Sequence, residues 1–208
     1  MKDLTIHQFN PNNARIEWQE FESLLASFSE LKERDDILPF FKERHDLSLL
    51  IGTYFPHISE LNCYAHEYDL GGCFKPDLIV GDSTKHRYLL VEFEDATPNS
   101  IFKKATNTGK IDWSLRLEGA YSQLTDWLWK LDDLKSTSDF RRAFGESEIT
   151  TFHCLIIIGK DMNLRRSEKD RLNWRIQKTM INSISIKVIS FDELFSDCDA
   201  WLKRYYGV

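Results

Sequence analysis

Three carboxylates offer this chain its clearest route to chemistry. Asp77 follows Pro76, and Glu92 and Glu94 come fifteen and seventeen residues later with Phe93 between them. Residues 76–80 are short, apolar and β-branched and close on Gly81-Asp82. Residues 87–94 carry the run Tyr88-Leu89-Leu90-Val91 of a buried strand. Side chains alternate along a strand, so Glu92 and Glu94 share a face and Phe93 takes the other. If the two strands pair as an antiparallel hairpin through a turn at 81–84, the start of one meets the end of the other, and Asp77 comes beside Glu92. Carboxylates gathered this way repel one another, and a divalent cation is the usual remedy. An oxygen-only set suits Mg²⁺ or Mn²⁺ better than zinc. The chemistry it best supports is hydrolysis of a phosphodiester. The plain alternatives are that Asp77 caps a turn after Pro76 and that Glu-x-Glu decorates an exposed strand.

Composition sets the surroundings. A chain of 208 residues is long enough for one sizeable core and short for two. With 42% hydrophobic and 29% charged residues, a packed domain is expected rather than a disordered one. No apolar run approaches the roughly 18 residues that cross a bilayer. Residues 1–13 are polar and lack the apolar stretch of a secretory signal, so a cytoplasmic protein without membrane partners is expected. Cys63, Cys73, Cys154 and Cys198 are scattered without a CxxC pair, which speaks for reduced, packed thiols rather than a zinc site. His66, near Cys63, reads as a hydrogen-bonded structural residue.

A formal net charge of −6 argues against nucleic-acid binding over the whole surface but leaves room for a local basic face. Residues 160–178 reverse the sign, with Lys160, Arg165, Arg166, Lys169, Arg171, Arg175 and Lys178 against Asp161, Glu168 and Asp170. Such a run is ordinarily a solvated helix face, and here it is the candidate basic surface.

The elements that would position these groups follow from periodicity. Residues 18–31 have apolar positions at three- and four-residue intervals and predict an amphipathic helix. A second helix is expected over 36–54, with Pro39 in its first turn and Pro56 at its exit. Strands are expected at 62–70, 76–80 and 87–94, then a loop over 97–112 and a helix over 113–131. Arg116, Ala120, Gln123 and Trp127 lie on one face of that helix. A buried strand over 151–159, a helix from Ser167 with a capping box to Asp170, a strand at 184–189 and a final helix opened by Ser190 and Glu193 complete the order. Gly207 can terminate the last helix. Three strands, a helix and a further strand exclude a doubly wound nucleotide fold and predict an α/β architecture, a mixed β-sheet flanked by helices. No GxGxxG or GxxxxGK[ST] loop is present. Trp113, Trp127 and Trp129 read as core and interface residues.

Pro76-Asp77 followed by Glu92-Phe93-Glu94, on a hairpin leading to a helix, resembles the PD-(D/E)XK nuclease signature. The blocks "HEYDLGGCFKPDLIVGD", "YLLVEFEDA", "LEGAYSQLTDW", "CLIIIGKD" and "ISIKVISFDELF" together, in order, resemble the nuclease domain of the Shedu anti-phage defence family. The likeness covers 60–195, about two thirds of the chain. It implies a single domain over 1–208, with an N-terminal helical extension at 1–59 and a restriction-endonuclease-like core at 60–208. The implied activity is a Mg²⁺-dependent (or Mn²⁺-dependent) DNA endonuclease acting against phage, and the implied assembly is a homo-oligomer.

Within that resemblance Asp77 and Glu92 match the metal-binding acids, and Gln123 falls where related nucleases place a helix glutamine. Glu94 departs from the pattern by standing where the motif has lysine, and it is read as a further metal ligand or general base. Lys75, Lys103, Lys104 and Lys110 are the nearest basic residues in sequence that could replace the lysine. Arg116, Arg165 and Arg166 are the candidate nucleic-acid contacts, and Glu67 is a weaker candidate for an outer carboxylate. The departure at Glu94 also leaves open a non-catalytic nucleic-acid-binding or regulatory protein on the same fold.

Overall fold

The apolar alternation along the chain resolves into one seven-stranded mixed sheet, in spatial order β1-β2-β3-β4-β5-β7-β6. Its strands are β1 (Thr5–Ile6), β2 (Cys63–His66), β3 (Leu78–Asp82), β4 (Arg87–Phe93), β5 (Thr151–Ile157), β6 (Met180–Ile181) and β7 (Ile184–Ile189). β1 through β4 pair antiparallel, β4 runs parallel to β5 and β5 to β7, and β6 returns antiparallel at the edge. The helices are α1 (Pro11–Ser27), α2 (Leu38–Lys42), α3 (His45–Leu50), α4 (Leu115–Leu134), α5 (Ser138–Phe144), α6 (Arg166–Lys178) and α7 (Phe191–Trp201). This computed structural model describes residues 1–103 and 111–208.

Because strand side chains alternate, the sheet carries a core on each face. Leu78, Val80, Leu89, Val91, Phe93, Leu155 and Ile157 point to the side covered by α1, α2, α3 and α7. Ile79, Tyr88, Leu90, Cys154, Ile156 and Ile186 point to the side covered by α4 and α5 and by Leu172 of α6. The first and last long helices meet over the former face. Trp18 stacks on Phe195 at 4.6 Å, and Arg15 pairs with Asp199 at 2.8 Å. Among the described residues no helix is long and apolar enough to cross a membrane.

Several boundaries differ from the sequence reading, each for a local reason. α1 begins at Pro11, earlier than expected, because the Asn10 side chain accepts from the Asn12 and Asn13 amides. It ends at Ser27, and Leu31 instead bridges to Ala96. The helix expected over 36–54 is broken into a π turn (Glu33–Ile37), α2, α3 and a 3₁₀ turn (Ile51–Tyr54). Arg44 ends α2 by donating to the Phe40 carbonyl at 2.9 Å, and Glu17 accepts the Leu47 amide at 2.6 Å inside α3. α6 starts at Arg166 rather than Ser167, and its first-turn partner is Glu168, which accepts the Arg165 amide at 2.7 Å, not Asp170. The Ser190 cap holds, with Oγ accepting from Glu193 N–H at 3.0 Å, and Gly207 ends the chain's last helical turn in the left-handed region. β1, β6 and α5 were not expected. The two strands span two residues each, too few to display a period.

Candidate metal and nucleic-acid site

The β3–β4 hairpin brings the first two acids together. Leu78 is the partner of Val91, so Asp77 and Glu92 form the next pair outward, on the face covered by α4. The turn spans 83–86 rather than 81–84, and Asp82 fixes it by accepting the Thr84 and Lys85 amides at 3.0 and 2.9 Å. Gly81 is needed just before it, because a Cβ there would lie 2.5 Å from the Arg87 carbonyl oxygen.

Asp77 is 9% exposed and Glu92 3%. Asp77 Oδ2 accepts the Phe93 amide at 2.8 Å, which ties the acid of one strand to the backbone of the other. Glu92 Oε1 accepts from the Gln123 side-chain amide on α4. Glu92 Oε2 is buried and meets no donor among the described residues. Burial pushes Asp77 above the usual carboxylate range, with Glu33 and Glu94 adding repulsion. Burial, then repulsion from Asp77 and Glu94, pushes Glu92 up as well. The cavity in front of them measures about 530 Å³ and is lined by Arg34, Lys42, Lys75, Asp77, Glu92 and Gln123, among others.

Glu94 leaves the strand on the same side but meets a different partner. Its Oε2 accepts from Arg116 Nη1 at 2.9 Å, while Arg116 Nη2 lies 2.8 Å from Asp95 and Nη1 lies 3.8 Å from Glu33. Burial still carries Glu94 up to about 7, against the pull of Arg116. Asp95, 3% exposed, also accepts the Glu33 amide at 2.8 Å and Lys32 Nζ at 3.4 Å. A π turn in the N-terminal region is thereby fastened to the end of β4. Neither Asp95 nor Glu33 was singled out from the sequence, since Asp95 lies just past the strand end and Glu33 sits in a segment without clear periodicity.

The structure thus joins Asp77, Glu92 and Gln123 in one contact set and Glu94 and Arg116 in an adjoining one. Among the described residues no three acidic, imidazole or thiol groups form a preformed metal cage. Asp77 and Glu92 nonetheless fit a hard divalent cation. They are oxygen donors only, Asp77 repels Glu92, and Glu92 Oε2 meets no donor among the described residues. Mg²⁺ commonly takes one or two carboxylates and completes its octahedron with water and substrate phosphate.

Other candidates fall in different places. Lys75 lines the cavity, while Lys104 and Lys110 lie outside the described residues. Glu67 lines it too, with Oε2 2.5 Å from Lys42 Nζ. His66 is a half-buried structural residue whose ring lies against the Asp77 backbone. Burial lowers it to about 4, against the hydrogen bond with the Asp77 backbone, so it is neutral.

The basic run at 160–178 is not one surface. Lys160 is 4% exposed and donates to the Leu25 and Phe28 carbonyls. Arg171 and Arg175 lie over Trp113 at 4.5 and 4.8 Å, and Arg175 grips Glu118 with both Nη atoms. Lys169 pairs with Asp161. Arg165 and Arg166 stay exposed at the start of α6, on the loop after β5, at the same end of the sheet as Glu92. Trp127 is core as expected, Trp113 is a platform for the two arginines, and Trp129 is 60% exposed. Cys63, Cys154 and Cys198 are buried thiols, and Cys73 is exposed.

Residues 30–195 match the family described as Shedu protein SduA, C-terminal, and the chain belongs to that family. No curated protein matches it.

Proposed function

We propose that this member of the Shedu family is a Mg²⁺- or Mn²⁺-dependent DNA endonuclease of anti-phage defence, built on a PD-(D/E)XK plan and working as a homo-oligomer. The observation that carries the reading is the buried Asp77–Glu92 pair lining an open cavity, with one Glu92 oxygen that meets no donor among the described residues. When bound, the divalent ion supplies Lewis acidity toward a phosphodiester and its attacking water. Asp77 and Glu92 would hold it, Asp77 being oriented by the Phe93 amide and Glu92 by Gln123. Glu94 stands where the motif has lysine. With its carboxyl poised at about 7, it is suited to take the proton of the attacking water. Arg116 holds Glu94 in place and disperses charge at the scissile phosphate.

A second reading, a non-catalytic nucleic-acid-binding or regulatory protein, is favoured by one observation: Arg116, which contacts Glu94, already spans Glu94 and Asp95. Plasmid nicking with Mg²⁺ separates the two. The nuclease reading expects cleavage by wild type and none by Asp77→Ala. DNA binding without nicking by either protein would select the second reading.

A further inference from the structure

The cavity before Asp77 and Glu92 is acidic at its floor, yet a phosphodiester strand must enter it. Lys42 is the basic residue most firmly placed at its wall. It is the last residue of α2, and its neighbour Phe41 stacks at 4.7 Å on Phe93, the residue between the two β4 acids. Its Nζ lies 2.5 Å from Glu67 Oε2, and both side chains are about half exposed at the cavity wall. Glu67 is equally fixed, since its amide donates to the Asp77 carbonyl at 2.9 Å. It also holds a left-handed φ of 45°, a conformation that costs a non-glycine residue about 1 kcal/mol or more. An ammonium facing an anion across a solvent-open cavity can exchange that anion for phosphate.

We propose that Lys42 is a phosphate-contacting residue of this cavity and that the Glu67 carboxylate occupies its ammonium, standing in for phosphate, until a nucleic-acid strand displaces it. The assignment rests on the nucleic-acid reading above. It places a substrate contact in the N-terminal helical region.

Binding of a labelled DNA duplex in Ca²⁺, followed by fluorescence anisotropy over a salt series, tests it with wild type, Lys42→Met, Lys42→Arg, Glu67→Gln and the Lys42→Met/Glu67→Gln double variant. Lys42→Met should weaken binding by ~3–10-fold and lower the salt slope by about one, and Lys42→Arg should restore both. Glu67→Gln should tighten binding by about 3-fold where Lys42 is present and change nothing in the Lys42→Met background. Wild-type protein that ignores the duplex would remove the nucleic-acid reading and this assignment together. Wild type that binds while Lys42→Met, with an unchanged thermal midpoint, binds equally well would remove this assignment alone. So would a Glu67→Gln effect of the same size with and without Lys42.

Discussion

Glu92 and Glu94 leave the same side of β4 two residues apart, yet Glu92 lies against Asp77 and accepts from Gln123, whereas Glu94 turns to Arg116 at 2.9 Å. The split gives the two acids separate surroundings, one beside a second buried carboxylate and one beside a guanidinium.

Divalent ion should therefore stabilise the fold through Asp77 and Glu92. An ion at a hundredfold excess over its Kd adds about 2.7 kcal/mol, or roughly 5–10 °C in Tm for a chain of this size. Titrating Mg²⁺ and Mn²⁺ into wild type and Asp77→Ala by thermal melting checks this. Equal responses from the two proteins would remove Asp77 from the site.

Separate surroundings also predict separate losses. Glu94→Gln should cut cleavage by ~10²–10⁴-fold and leave the Mg²⁺-induced rise in Tm nearly intact, as expected of a general base. Loss of cleavage together with the Tm response would instead place Glu94 in the ligand set.

The ion-free protein should be less stable in alkali. Asp77, Glu92 and Glu94 have folded-state pKa values raised chiefly by burial, so the folded state keeps protons that the unfolded chain releases. That stability is complete below the ordinary carboxylate pKa and is lost as pH rises, for Glu94 through about 7. Glu92→Gln keeps the shape and removes the charge. It should raise Tm at pH 8 by a few degrees, on the order of 1–2 kcal/mol, and have little effect at pH 4. A gain of equal size at both pH values would contradict the burial argument.

Within the basic run, position should decide the phenotype. Arg165→Glu with Arg166→Glu should weaken DNA binding across sequences and flatten its salt dependence while leaving Tm unchanged. Lys160→Met should do the reverse, lowering stability by about 1–3 kcal/mol because the Leu25 and Phe28 carbonyls lose their buried donor. Melting curves and anisotropy on both variants would expose any exchange of these roles.

What the sequence reveals here depends on periodicity. The parity of Tyr88 to Val91 forces Glu92 and Glu94 to one side, and the four-three-four spacing on α4 places Arg116 and Gln123 where both reach strand-end acids. The hairpin register survived a misplaced turn because the partnership of Leu78 and Val91 is set by burial on both faces. The tie of Glu33 to Asp95 spans 62 residues and joins two stretches without regular spacing, so no local pattern announces it. Lys160 shows the complementary failure. Counting charges along a run gives their number and not their direction, and this one points inward.

The meeting of α1 and α7 over one face of the sheet bears on the order in which the fold can form during synthesis. Phe93 belongs to the core that these helices share, and Trp18 cannot find Phe195 until the last helix has been made. A nascent chain thus displays its candidate acids early, on a hairpin whose other side still lies open. Contacts of such long sequence separation form late and slowly. The strand that carries the candidate acids therefore gains its full core on the Phe93 side only once α7 has joined α1 over it.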